Sequence, residues 1–241
     1  MINQRKSAPL SLEDEKSTER FLKFTPCLFV VIFLLFLQTS LISQTCTNDP
    51  AQHSTGKFGT CDQSGKGGDP ELNRLKNRDL PPNSYKSYTI NDIINNIPQD
   101  LPTMMRAKWD PAESDDACMY EQQGIVVEGV LLGVKQEGPE ACNCRITDQR
   151  DYHLWLGPQK GASRADGIVV EISPRLIPQH PSWNQTTLGK FVKQGSKVRI
   201  SGWLMWDEEH GDQVGKTRGT HWEIHPIHKI EVFTGGKWTE L

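Results

Sequence analysis

The long apolar runs of this chain fall in its second half, and glycines and polar clusters separate them. Gly124 opens Ile125-Val126-Val127-Glu128-Gly129-Val130-Leu131-Leu132-Gly133-Val134, a β-branched run whose internal glycines let one long strand bend. Beyond a polar loop at 135–150, the alternation over 151–156 predicts a second strand and Ile168-Val169-Val170-Glu171-Ile172 a third. A fourth spans 197–206, and a fifth spans 220–233 with Pro226 interrupting it. Between the third and fourth, 183–192 places Leu188, Phe191 and Val192 on one helical face, with Gly195 as the stop. Upstream, Ile90, Ile93, Ile94 and Ile97 recur at helical spacing behind Thr89 as N-cap, and Pro98 ends that short helix. The pattern predicts a mostly β fold of order βββαββ.

The first half reads differently. Residues 24–43 carry no charge, Arg20 and Lys23 precede them, and no Lys or Arg follows until Lys57. That asymmetry predicts a cytoplasmic segment at 1–23 and a transmembrane anchor or cleavable signal peptide at 24–43. Everything after it is then extracytoplasmic, or secreted on cleavage. A Cys at 46 invites lipid attachment, but Ser43 stands where a lipobox wants Leu. Residues 44–82, rich in Gly, Asp, Asn, Ser and Lys and poor in aliphatics, predict a flexible linker ahead of a globular domain at 83–241.

Composition narrows the partners. Net charge is −3, and no basic excess marks the second half, which argues against binding nucleic acid without sequence preference. Export permits disulfides among Cys46, Cys61, Cys118, Cys142 and Cys144. Cys118 with Cys142 or Cys144 is the expected pair, and an odd count leaves one thiol over.

A bent, glycine-containing first strand and a helix between strands three and four resemble the OB-fold, a small five-stranded barrel, over about 124–232. At residue level, E-G-P-E-x-C-N-C at 137–144, D-x-H-x-W-L at 151–156 and G-K-T-R-G-T-x-W-E-I-H-P at 215–226 resemble a group of uncharacterised exported bacterial proteins. That resemblance implies one compact domain and no particular activity.

In such a barrel, ligands lie across strands two and three between the first and fourth connecting loops, here 135–150 and 207–219. Both loops carry charges of mixed sign, which suits a polar or zwitterionic ligand better than a polyanion. His153 and Trp155 share the outer face of strand two, where they could stack a base or sugar. His210, Arg218 and Glu223 complete the expected ligand-binding set, Arg218 with Thr220 as a clamp for a carboxylate or phosphate. His221, Glu223 and His225 alternate onto one face of strand five. With His153, His210, Glu223 and His225 as ligands, zinc or another divalent metal could be held, with Asp151 or Glu171 as general base. No nucleophile elbow, phosphate-binding loop or dinucleotide fingerprint is present.

Three readings follow. The first is a non-enzymatic binding module without cofactor, membrane-tethered through 24–43, for a polar small molecule, glycan or oligonucleotide. The second is a metal-dependent hydrolase on the same barrel. The third is a structural envelope protein whose Trp and His only pack.

Overall fold

The computed structural model describes Cys46 and residues 49–241. The predicted cytoplasmic segment and membrane-targeting segment, 1–23 and 24–43, lie outside the described residues. Among the described residues no helix is long and apolar enough to cross a membrane.

A 3-10 turn at Pro50–His53 is followed by helix α1 (Pro70–Lys76), a short strand β1 (Lys86–Tyr88), and helices α2 (Ile90–Asn95) and α3 (Pro111–Glu121). Strands β2 (Gly124–Gln136), β3 (Tyr152–Gly157) and β4 (Ile168–Ile172), helix α4 (Gln185–Gln194), and strands β5 (Lys197–Trp206), β6 (Trp222–Thr234) and β7 (Lys237–Glu240) complete the chain. β2 uses its first half, Gly124↔Trp203 to Val130↔Lys197, to pair with β5. Its second half, Val130↔Gly157 to Gln136↔Tyr152, pairs with β3. The bend falls where expected, since a Cβ at Gly129 would come within 2.7 Å of the Gly157 carbonyl oxygen. β3 pairs antiparallel with β4, β4 parallel with β6, and β6 antiparallel with β5. The circuit β2-β3-β4-β6-β5-β2 closes a five-stranded barrel with the OB strand order.

Inside the barrel, Ile125, Val127, Leu154, Leu156, Val170, Ile172, Ile200, Leu204 and Ile224 are fully buried, each contributing about 1.5–3 kcal/mol of apolar transfer. Ile93 of α2 joins this core behind a capping box formed by Thr89 and Asp92. Helix α4 starts at the Asn184 cap, buries Leu188, and stops at Gly195 with φ 66°. Pro226 does not end the fifth strand. β6 runs through it, but the pairing is irregular there: the register slips between Gly202↔Ile227 and Leu204↔Ile224, across Pro226, as well as between Ser201↔Lys229 and Gly202↔Ile227.

Two expectations are corrected. Residues 49–82 are not a flexible linker, because they belong to the same compact unit as the barrel. Asp69 caps α1 ahead of Pro70, Leu72 and Leu75 are buried, and Arg78 donates to the carbonyls of Leu75, Glu121, Leu204 and His225. Polar side chains and cation–carbonyl bonds order this segment where aliphatics are scarce. The disulfides differ as well. Cys118 pairs with Cys46 and Cys144 with Cys61, leaving Cys142 as a buried thiol. Cys118 lies on α3, within reach of the incoming chain, and Cys144 lies under the segment that leads into α1.

Candidate functional site

Alternation along the strands splits each one between the core and the opposite face. Leu154 and Leu156 of β3, Val170 and Ile172 of β4, and Trp222 and Ile224 of β6 fill the core. His153 and Trp155, Glu171, and Glu223 and His225 therefore share the other face of the three neighbouring strands. This is the face on which OB barrels hold ligands. Here it is roofed over. Lys66 N–H donates to the Ala141 carbonyl at 2.8 Å, Asn77 Nδ2 donates to the Cys142 carbonyl at 2.8 Å, and the Cys61–Cys144 disulfide joins the two segments. Gly65, at φ +65°, permits that approach, because a Cβ there would strike the Ala141 carbonyl. Leu72 and Leu75 of α1 seal one side against Met205 of β5.

Beneath the roof lies a connected set of charged side chains. Arg218 donates to Asp207 Oδ2 at 2.7 Å and to Glu223 Oε2 at 3.1 Å. The other Glu223 oxygen, Oε1, lies 3.2 Å from His225 Nδ1. His225 Nδ1 is also 3.3 Å from Glu171 Oε2, and its Nε2 is 3.6 Å from Asp151 Oδ1. Glu171 Oε1 accepts from His153 Nδ1 at 3.1 Å, and Asn143 Nδ2 donates to Asp151 Oδ2. Lys76 Nζ lies 3.7 Å from both Glu140 Oε2 and Glu209 Oε2. Asp151, Asp207, Arg218, Glu223 and His225 are at most 2% exposed, so each charge depends on its neighbours rather than on water.

The ionisation states follow from that packing. Burial alone would lower the His225 pKa, but Glu171, Asp151 and Glu223 push it up to about 10. Glu171, against the effect of burial, is held well below the usual carboxylate range by His225 and His153. Burial and the neighbouring Asp151 push Glu140 up to about 8. Burial and Asp151 also raise the Cys142 thiol, which keeps it protonated and a poor nucleophile. Its hydrogen bond to Asp207 pushes His210 up to about 9.

The cluster opens outward through a cleft of about 300 Å³ between the two rim loops and α1. Lys76, Glu137, Glu140, Arg145, Glu209 and His210 line it. A larger cavity of about 670 Å³, walled by Cys46, Cys118, Arg74 and Trp109, lies beside the first disulfide and away from this chemistry.

The structure divides the residues expected to bind a ligand. His210 stands at the cleft mouth, tied to Asp207 at 2.7 Å. Arg218 and Glu223 are internal partners of one another and do not reach the cleft. Trp155 is no open stacking surface, since it is 8% exposed and the Arg164 guanidinium covers its ring at 3.6 Å. Thr220 donates to Gln99 rather than acting beside Arg218. The expected metal set also changes. Of His153, His210, Glu223 and His225, only His225 belongs to a compact group of donors, and its companions are Asp151 and Glu171, which had been expected as bases. His153 and Glu223 instead hold those donors in place. Lys76 escaped sequence reasoning because it sits in the apparent linker, although Asp69-Pro70 with Leu72 and Leu75 is a legible helix start.

No protein-family model matches the chain, and no curated protein does. Among solved structures, a chain from the crystal structure of yeast Stn1 and Ten1 is similar at 15% identity with a TM-score of 0.34. The match covers 64% of this chain and 65% of that one, under two thirds of its length. So distant a likeness adds nothing to the strand order, which defines an OB-like barrel by itself.

Proposed function

We propose that the protein is a binding module for a small polar ligand, held outside the cytoplasmic membrane by residues 24–43, or released if that segment is cleaved. The observation that carries this reading is the roof over the ligand face. An oligonucleotide or glycan chain lying across β3 and β4 would collide with α1 and the 61–78 segment, while a small molecule fits the 300 Å³ cleft. Charges of both signs, Lys76 in the cleft wall with His210 and Glu209 at its mouth, favour a zwitterion or polar molecule over a polyanion. The two disulfides support an oxidising compartment.

The test is a thermal-shift and calorimetric screen of amino acids, short peptides, sugars and oligonucleotides against the full-length protein in detergent. The expected outcome is saturable binding of a small polar compound without turnover. Glu209→Lys, which reverses a charge on the exposed lip, should weaken that binding about tenfold or more. Preferential binding of long oligomers, or conversion of the bound compound, would contradict the reading.

A further inference from the structure

We propose that Asp151, Glu171 and His225 bind one divalent cation of the zinc or manganese type, at the floor of the roofed face and independently of what fills the outer cleft. A donor atom from each can be taken so that all three lie within 4.8 Å of one another. The three side chains come from the start of β3, from β4 and from β6, and none is more than 6% exposed. Each is held through one polar atom by a residue outside the trio and turns the other toward its companions. Asn143 holds Asp151 by Oδ2, His153 holds Glu171 by Oε1, and Glu223 holds His225 by Nδ1. Asp151 Oδ1, Glu171 Oε2 and His225 Nε2 make no hydrogen bond. Buried polar atoms are almost always hydrogen-bonded; here they meet one another only at ion-pair distances of 3.3 and 3.6 Å, and a cation seated between the three side chains would satisfy all of them at once. Partners that fix the far end of each ligating group are the usual outer support of a metal site.

Spacing and charge agree. Two atoms each about 2.1 Å from zinc sit about 3.4 Å apart at the tetrahedral angle. His225 Nε2 and Asp151 Oδ1 are 3.6 Å apart, too long for a good hydrogen bond and close to that separation. Metal binding displaces the proton that His225 otherwise carries; two carboxylates and the resulting neutral imidazole then balance a divalent charge, and the mixed oxygen and nitrogen donors suit zinc or manganese. Glu140 and Cys142 form a second such group on the other side of Asp151.

Full-length protein purified without a His-tag, stripped with chelator and titrated with Zn²⁺ and Mn²⁺ by calorimetry provides the test. About one ion per chain is expected, with affinity reduced at least about tenfold in Asp151→Asn and His225→Gln. Glu223→Gln, a change to a positioning residue, should weaken binding about 10- to 100-fold and shift the visible bands of the Co²⁺ complex. Where a variant fails to fold, the Co²⁺ titration of the unaltered protein decides. A folded wild-type protein without saturable metal binding overturns the proposal, as does binding unchanged in folded Asp151→Asn and His225→Gln. Either result leaves the small-ligand reading of the cleft standing.

Discussion

Arg218 shows how far a side chain's role depends on what surrounds it. From the sequence it is a cation entering a strand beside a polar loop, and a ligand clamp is a fair expectation. In the fold it is 2% exposed and joins Asp207 to Glu223. Replacing it by Met would leave two buried carboxylates short of their partner, and unfolding in urea should show a loss of about 3–5 kcal/mol. Arg218→Lys should lose less, because a single ammonium keeps the charge but cannot span both acceptors as the guanidinium fork does. His228 makes a pH-dependent contribution. Burial lowers its pKa to about 4, assisted by Arg78, even though its Nε2 bonds the Arg78 carbonyl at 2.9 Å. The unfolded chain takes up that proton near the ordinary value of 6.5, while the folded protein resists until about pH 4. This contribution to stability is therefore complete above the unfolded value and declines as pH falls from about 6.5 toward 4. Thermal melts across that window should show a shallower decline for His228→Gln. Asp151, His153, Glu223 and His225 were all legible as residues with chemistry to offer. Which of them would face which depended on strand register, and periodicity does not encode that.

At the scale of elements, the strands and α4 were readable because their signals are local. β-branched runs, glycines at bends, the Asn184 cap and the Gly195 stop each act within a few residues. The roof was not readable by the same means. Residues 61–78 contain few aliphatics, so their order rests on Asp69 capping α1, on Asn73 and Asn77 donating to loop carbonyls, and on the Cys61–Cys144 bond. The Asn77 bond to the Cys142 carbonyl and the disulfide, which fix the segment over the face, are visible only once the partner loop is in place. That disulfide closes a span of 83 residues, and removing it as Cys61→Ser with Cys144→Ser should cost about 2–4 kcal/mol. The loss should concentrate in the roof. Hydrogen exchange is expected to rise first in α1 and in 137–146, with the barrel strands still protected; uniform loss across the barrel would argue that the roof is no separate element.

For the whole molecule, two neighbouring sequence segments and a third some sixty residues further on come together on one face of a closed barrel. The E-G-P-E-x-C-N-C stretch supplies Glu140, Cys142 and Asn143, the D-x-H-x-W-L strand supplies Asp151 and His153, and the last motif supplies Arg218, Glu223 and His225. A purely packing role for that face would be met more cheaply by apolar side chains of similar size. The retained charges point to a site. The barrel's closure was anticipated from element order, whereas the site's closure was not, since it depends on a segment whose composition resembles a linker. The most direct measurement is a crystal structure of the full-length chain grown with zinc and recorded at the zinc absorption edge. Residues 61–78 are expected to pack over β3 and β4, with an anomalous peak bonded to Asp151, Glu171 and His225. A well-ordered barrel with that face open to solvent, or with those three side chains apart and no peak between them, would contradict this.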